Sequence, residues 1–214
     1  MRKCSADVNH IRLHGAVGEA PVYSHLNHGV EFYTFPLVVR RLSGAEDQVN
    51  VVAPLELLEC CGPLERESEL TVLGEVRTFN NRTGVGSRLV ISAFARELRQ
   101  EPGEDENRLE LSGTLCKTPS LRATPLGRTI CDMILAVNRR YGRADYLPCI
   151  AWGSLAHRCG GMEVGDQLRL TGRLQSRTYT KVSGDRSEER VAFEVSIMSL
   201  AAAEVPTEKE EHTG

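Results

Sequence analysis

Short runs of alternating apolar and polar residues occupy most of the chain, and this two-residue period predicts β-strands with one buried face. In the second half, Leu109, Leu111 and Leu115 alternate with polar residues around Gly113, which predicts a first strand with a kink or bulge at the glycine. Four further strands are predicted at residues 131–137, 146–152, 168–174 and 191–197. Apolar positions with helical spacing at residues 155–159 predict a short helix between the third and fourth strands.

The first half of the chain repeats this order at a nearly constant offset. Residues 9–15 match residues 107–113 at an offset of 98, and the same offset pairs Asp47 with Asp145. Beyond the last predicted hairpin the offset becomes 102, so the second copy is four residues longer there. A constant register over more than sixty residues indicates a duplicated domain.

The predicted boundaries follow from this repeat. Residues 1–99 form the first copy, residues 100–106 a linker without an apolar anchor, and residues 107–200 the second copy. Residues 201–214 are small and then mostly acidic, which predicts a disordered tail. Three strands, a helix and two strands in about 100 residues are typical of the OB-fold barrel. A β-sandwich would not need the helix, and a doubly wound α/β fold would need a helix after nearly every strand. We therefore expect an all-β protein with two tandem five-stranded OB-fold barrels.

Composition excludes several classes of protein. No stretch approaches the roughly 20 apolar residues of a membrane span. The seven cysteines include no CxxC pair, and the histidine pairs have no carboxylate or thiol in matching register. We therefore expect reduced thiols, a cytoplasmic location, and no metal or other cofactor. No nucleophile elbow, HExxH motif, phosphate-binding loop or carboxylate cluster is present in the sequence, so no catalytic residue is predicted.

The charge distribution leaves nucleic acid open as a partner. The net charge of −3 argues weakly against it, because phosphate contacts need Lys and Arg. Residues 104–203, however, hold 14 basic and 12 acidic side chains, so the second copy is slightly basic. Acidic residues outnumber basic ones in the tail, where four of them accompany one lysine.

Aromatic rings and cations share one predicted surface of the second copy. Tyr146 and Trp152 lie six residues apart on the third strand and therefore on the same face. Tyr179 has the same parity as Arg173 and Arg177 on the fourth strand. Binding of single-stranded nucleic acid without much sequence preference needs rings that stack on bases and cations that follow the phosphates. The turn after the second strand adds another ring among arginines. The predicted contacts in this copy are Trp152, Tyr179, Tyr146, Tyr141, Arg177, Arg173, Arg139, Arg140, Arg143 and Lys181.

Three segments of the second copy, residues 107–119, 148–156 and 172–179, resemble the bacterial single-stranded DNA-binding protein family. That family has an opening strand ending in glycine, a hydrophobic-aromatic-Gly-x-Leu-Ala segment and a Gly-x-Leu-x-Thr/Ser-Arg-x-aromatic segment. The resemblance implies that the base-stacking positions are occupied here by Tyr146, Trp152, Tyr179 and, in the second hairpin, Tyr141. It also implies a non-catalytic protein that coats single-stranded DNA during replication, recombination or repair.

The first copy departs from the family at these positions. The offset of 98 places non-aromatic residues at all four, namely Ser43, Gln48, Pro54 and Asn81. Arg41 and Arg77 remain as predicted phosphate contacts, whereas Phe79 replaces the arginine of the fourth strand. The first copy is therefore expected either to contact DNA mainly through charge or to serve as a structural or assembly surface.

The resemblance also bears on assembly and partners. Family members with one barrel commonly form tetramers, which implies a homodimer, with four barrels, for a two-barrel chain. The family's acidic tail usually ends in a hydrophobic residue that recruits replication and repair proteins, but this chain ends in His-Thr-Gly, so recruitment by that route is doubtful. Two alternatives stay open: a primosome-accessory or mobile-element module acting mainly through protein contacts, and a binder of single-stranded RNA or oligosaccharide.

Overall fold

Within the residues that the structure describes, each half of the chain contains six strands and one short helix. The computed structural model describes residues 8–80, 89–139, 142–183 and 186–201, with the backbone alone for residues 80, 177–183, 186 and 188–190. The first half contains β1 (Asn9–Val17), β2 (Val22–Asn27), β3 (Val30–Arg40), β4 (Glu46–Pro54), α1 (Leu55–Cys61), β5 (Glu69–Asn80) and β6 (Leu89–Arg99). The second half contains β7 (Glu106–Leu115), β8 (Ser120–Ala123), β9 (Thr129–Asn138), β10 (Ala144–Trp152), α2 (Ser154–Gly160), β11 (Gln167–Ser183) and β12 (Arg186–Ala201).

The strand pairing gives each half the order of an OB-fold. In the first half β1 pairs with β5, β5 with β6, β6 with β4, and β4 with β3. β1 also pairs antiparallel with β3, so the first and last strands of this order are hydrogen-bonded to each other. In the second half, β7 pairs with β9 in the same way. In each half the helix lies between the third and fourth of these five strands, so the predicted tandem OB-fold architecture is confirmed.

Alternation along the strands builds the core. On β10, Leu147, Cys149 and Ala151 are buried, as the sequence pattern predicts for one face of this strand. The corresponding strand of the first half, β4, buries Val49 and Val51 in the same way. The inward face of these strands thus supplies apolar core side chains, whereas the outward face of β10 carries the exposed Tyr146 and Trp152 together with the buried Ile150.

The kink predicted at Gly113 is not an interruption of the strand. β7 pairs with β11 in unbroken register from Leu109 to Thr114, and Gly113 is needed for a different reason. A Cβ at Gly113 would lie 2.5 Å from the carbonyl oxygen of Ala136 on β9, so only glycine allows the two strands to approach. The irregularity falls instead on β11, where the register with β12 shifts between Thr171 and Gly172.

Two short strands were not predicted. β2 pairs with β3 and β8 pairs with β9, which extends each barrel by a hairpin. All residues of both short strands are exposed, so neither has the alternation that marks a half-buried strand. No helix in the described ranges is long and apolar enough to span a bilayer.

The two barrels join through their first strands. β1 and β7 pair antiparallel, with Ile11 opposite Leu109, two residues that are equivalent in the repeat. The junction therefore has approximate twofold symmetry, and it links all the strands into one twelve-stranded sheet.

Candidate nucleic-acid interface

The outward face of β10 carries two exposed aromatic rings. Tyr146 is 54% exposed and Trp152 is 39% exposed, at opposite ends of the strand. Six residues at about 3.3 Å each separate their Cα atoms by roughly 20 Å, so both rings present flat apolar surface to solvent along one strand. Such rings can stack on unpaired bases.

A cation lies in the same row as Trp152. Ile130 on β9 is directly opposite Trp152, and Arg122 on β8 is directly opposite Ile130. The guanidinium of Arg122 forms an ion pair with Asp132, with 2.5 Å between Nε and Oδ2. This hydrogen bond raises the pKa of Arg122 against the opposing effect of desolvation. Sequence analysis missed Arg122 because β8 was not predicted.

The signal that would have found this hairpin is its turn. Thr124, Pro125 and Gly127 lie between β8 and β9, and Gly127 has a φ of 74°, a conformation that favours glycine. The backbone amide of Gly127 donates to the carbonyl of Thr124 over 2.8 Å, which closes the turn.

The structure describes only the backbone of Tyr179, and it does not describe Tyr141. Tyr179 lies on β11 opposite Arg190, with Arg177 and Lys181 two residues to either side, but the side chains of these three residues are outside the described part of the structure. Tyr141 and Arg140 lie outside the described residues altogether. Arg143 is exposed, and its carbonyl accepts a hydrogen bond from the amide of Arg139 over 2.7 Å.

Arg139, one of the predicted phosphate contacts, lies between the two barrels. Its guanidinium binds the carboxylate of the fully buried Asp145, with 2.5 Å between Nε and Oδ2. It also donates from Nη2 to the carbonyl of Thr78 in the first barrel, 2.8 Å away. Asp145 in turn accepts the backbone amide of Thr78 at 2.5 Å. These residues form a contact between the barrels, which we call the Asp145 clamp.

The repeat places a second clamp at the symmetry-related position. Arg41 binds the fully buried Asp47, with 2.7 Å between Nε and Oδ2. Asp47 accepts the backbone amide of Ser176 in the second barrel at 3.3 Å. We call this contact the Asp47 clamp. Asp47 and Ser176 correspond to Asp145 and Thr78 under the exchange of the two barrels, so each barrel holds the fourth strand of the other.

Two more predicted cations lie at these clamps. Arg77 approaches Asp145, with 3.5 Å between Nη1 and Oδ2, and it also pairs with Glu75. Arg173 is half-buried near Arg41, and burial followed by the charge of Arg41 lowers its pKa. Four of the predicted phosphate contacts, on separate segments of the chain, are thus gathered at the junction, where three of them have carboxylate partners.

In the first barrel the aromatic residues lie on different strands. Phe32 on β3 is opposite Pro54 on β4, whereas Ile130 on β9 is opposite Trp152 on β10. At this equivalent cross-strand pair, the aromatic side chain is on β3 in the first barrel and on β10 in the second barrel. The repeat offset of 98 pairs Trp152 with Pro54, so it could not reveal that the first barrel has its aromatic residue on the neighbouring strand.

These rings pack against each other. His25 stacks on Phe32 with ring centroids 5.0 Å apart, and Phe94 lies 5.6 Å from Phe32. Phe32 is consequently buried, so its surface is used to hold the β2–β3 hairpin on the barrel. Phe79, by contrast, is 45% exposed on β5.

Other chemistry is limited. The six cysteines of the described residues are free thiols, and no group of three potential metal ligands occurs within those residues. Burial raises the pKa of Cys159 to about 11, with a further contribution from Cys131. The buried His14 shares a hydrogen bond with the hydroxyl of Thr71, 2.8 Å from Nδ1.

Comparison with known proteins decides the family. The single-strand binding protein family model matches residues 106–201. A single-stranded DNA-binding protein of Clostridium tetani is 36% identical over 101 residues, which cover 43% of this chain and 70% of that protein. The chain belongs to the single-strand binding protein family. Single-stranded DNA-binding protein 3 of Clostridium acetobutylicum is 35% identical over 106 residues, which cover 45% of this chain and 74% of that protein. The family resemblance inferred from the sequence motifs is therefore confirmed.

The fold likeness extends over both barrels of this family member. The crystal structure of the wild-type single-stranded DNA-binding protein from Thermus aquaticus superposes with a TM-score of 0.73 at 24% identity, covering 98% of each chain. The family model, by contrast, matches residues 106–201, which are the residues of the second barrel. The first barrel thus shares the architecture of the family but has diverged furthest in sequence.

Proposed function

We propose that this protein binds single-stranded DNA largely without sequence specificity and coats it, with the outward face of β10 as the principal stacking surface. The observation that carries the proposal is the pair of exposed rings, Tyr146 and Trp152, on the barrel that the family model matches. The single-stranded DNA-binding relatives support DNA as the ligand. Replication, recombination and repair are the processes in which such coating is required.

We assign the other predicted contacts to two different roles. Arg177, Tyr179 and Lys181 occupy alternate positions along β11, and Arg140, Tyr141 and Arg143 precede β10 in the sequence. We propose that both segments contact the strand. Arg139, Arg41 and Arg77 are bound to carboxylates between the barrels, and we assign them to joining the barrels.

Trp152 provides a direct test, since it is the sole tryptophan of the chain. Titration with oligo-dT should quench its fluorescence if the indole stacks on bases. Unchanged emission at saturating oligonucleotide, with binding verified by anisotropy, would remove Trp152 from the site.

Substitution tests the division between the barrels. Tyr146→Ala and Trp152→Ala should each weaken oligo-dT binding by about 1–3 kcal/mol, roughly 5- to 150-fold in Kd, because each removes a stacking platform. Phe79→Ala is the matched control, because it removes an exposed ring of the first barrel. Equal losses in all three variants would contradict a principal site on the second barrel.

The choice of nucleic acid needs a competition experiment. Poly-dT, poly-U and duplex DNA should be compared as competitors of labelled oligo-dT at two salt concentrations, since stacking surfaces distinguish sugars poorly. We expect poly-dT to compete best. Equal competition by poly-U would favour RNA binding, and absent or salt-insensitive binding would favour a module that acts through protein contacts.

We also propose that two chains assemble into a homodimer with four barrels. The support is the internal junction itself, in which two barrels already form a pair through β1 and β7. Light scattering should give a mass twice the 23.6 kDa of one chain. A mass equal to one chain at micromolar concentration would refute the dimer.

A further inference from the structure

The two clamps between the barrels differ in charge although the repeat makes them equivalent. At the Asp145 clamp, Arg139 binds Asp145, and Arg77 lies between Asp145 and Glu75. At the Asp47 clamp, Arg41 binds Asp47, but the position equivalent to Glu75 is occupied by Arg173. A carboxylate on one side of the junction is thus exchanged for a guanidinium on the other.

Among the residues that the structure describes, Arg173 has no anion to pair with. Its Nε atom is buried without a hydrogen-bond partner, and Arg173 forms no ion pair within the part of the chain that the structure describes. The neighbouring Asp47 is already bound by Arg41 and by the amide of Ser176. Two guanidinium groups therefore share one carboxylate, which leaves one excess positive charge in a half-buried position.

Such an arrangement is unfavourable unless a further anion binds. A buried donor without a partner is destabilising, more so when it is charged, and Arg41 adds repulsion. The side chain of Arg41 is 25% exposed and Arg173 is half-buried, so solvent reaches part of each residue although the Nε of Arg173 is buried. A guanidinium offers planar paired donors that match the oxygens of a phosphate.

We propose that Arg173, beside Arg41, binds a phosphate of the single-stranded DNA at the Asp47 clamp, where the strand passes between the two barrels. The inference rests on the proposed function and adds a site at the junction to the stacking surface of β10. It assigns no phosphate to the Asp145 clamp, where each arginine already has a carboxylate partner.

The salt dependence of binding tests the site. For single strands each phosphate contact contributes about 0.7 to the slope of log Kobs against log salt concentration. Arg173→Gln should lower the magnitude of the slope by about 0.7, so the wild type should lose about 2.6-fold more affinity than the variant between 50 and 200 mM salt. An unchanged slope in Arg173→Gln would overturn the proposal.

Arg169→Gln is the matched control, because it removes the same charge from the same strand. Arg169 is bound to Glu110, with 2.7 Å between Nη2 and Oε1, and it lies four residues before Arg173 on β11. Its slope should stay at the wild-type value. A decrease equal to that of Arg173→Gln would show a general effect of net charge and would also overturn the proposal.

Thermal stability gives a second readout. The melting temperature of Arg173→Gln should equal or exceed that of the wild type without ligand, because the substitution removes an uncompensated cation. Inorganic phosphate, compared with chloride at equal ionic strength, should raise the melting temperature of the wild type more than that of the variant. A marked fall in the melting temperature of Arg173→Gln without ligand would show that the cation is compensated and would refute the site.

Failure of this inference can be told apart from failure of the proposed function. Absence of oligo-dT binding by the wild type would refute the proposed function. Normal quenching of Trp152 by oligo-dT, together with an unchanged salt slope in Arg173→Gln, would refute the junction site alone.

Discussion

Asp145 is the residue at the junction with the largest number of partners, and its removal should be strongly destabilising. The carboxylate is completely buried and accepts hydrogen bonds from Arg139, from the Thr78 amide at 2.5 Å and from the Thr78 hydroxyl at 3.0 Å. Asp145→Asn preserves the shape but leaves the guanidinium of Arg139 without its anion. Breaking a buried ion pair in this way costs about 3–5 kcal/mol.

The expected shift is large enough for calorimetry. For a chain of this size, 1 kcal/mol corresponds to roughly 2–4 °C in melting temperature, so Asp145→Asn should melt roughly 6–20 °C below the wild type. Asp132→Asn is the control, because Asp132 also binds an arginine, Arg122, but at the exposed surface. Exposed pairs contribute about 0–1 kcal/mol, so its melting temperature should fall by no more than roughly 4 °C.

A double variant completes the test. Arg139→Gln combined with Asp145→Asn removes both charges and should be more stable than Asp145→Asn alone, because no uncompensated cation remains. The reasoning would be refuted if Asp145→Asn melted within about 2 °C of the wild type. It would also be refuted if the exposed and buried substitutions gave the same shift.

Two further predictions concern close packing and burial. Gly113→Ala should destabilise the second barrel by about 3 kcal/mol or more, since its Cβ would lie 2.5 Å from the Ala136 carbonyl oxygen. Gly160→Ala, whose Cβ would lie 3.4 Å from its nearest neighbour, should change the denaturant midpoint little, and equal losses would contradict the packing argument. Burial raises the pKa of Cys159 to about 11, so this thiol is protonated at pH 8. Iodoacetamide should therefore label the exposed Cys60 and spare Cys159 in the folded protein, as peptide mass spectrometry would report; comparable labelling of both would be inconsistent with the core.

The strand alternation and the repeat predicted most of the architecture. Leu147, Cys149 and Ala151 are buried, and Tyr146 and Trp152 are exposed, because residues two apart on a strand must share a face. This local rule holds for the core-facing positions, but Ile150 shares a face with Tyr146 and Trp152 and is nevertheless buried. It fails for β2 and β8, which are exposed on both faces and therefore have no alternation to detect.

The roles of the arginines could not be predicted in the same way. Arg41 and Arg139 belong to turns that suggest solvent-exposed cations, and Arg139 stands two residues before Tyr141. Nothing along the chain indicates that Asp47 and Asp145 will each be buried against the fourth strand of the other barrel. Those contacts join residues 67 and 129 positions apart, and they exist only once β1 and β7 have paired.

The sequence by itself therefore determined the repeated unit, the order of its strands and the outward direction of Tyr146 and Trp152, because these depend on local periodicity. Only the tertiary structure decided which cations remain available to a ligand, because charge is neutralised across space and not along the chain. Arg139 and Arg41 are bound to carboxylates at the junction, whereas Arg173, which lies near Arg41, has no such partner among the described residues. Equivalent positions in the repeat thus acquired different chemistry when the two barrels packed together.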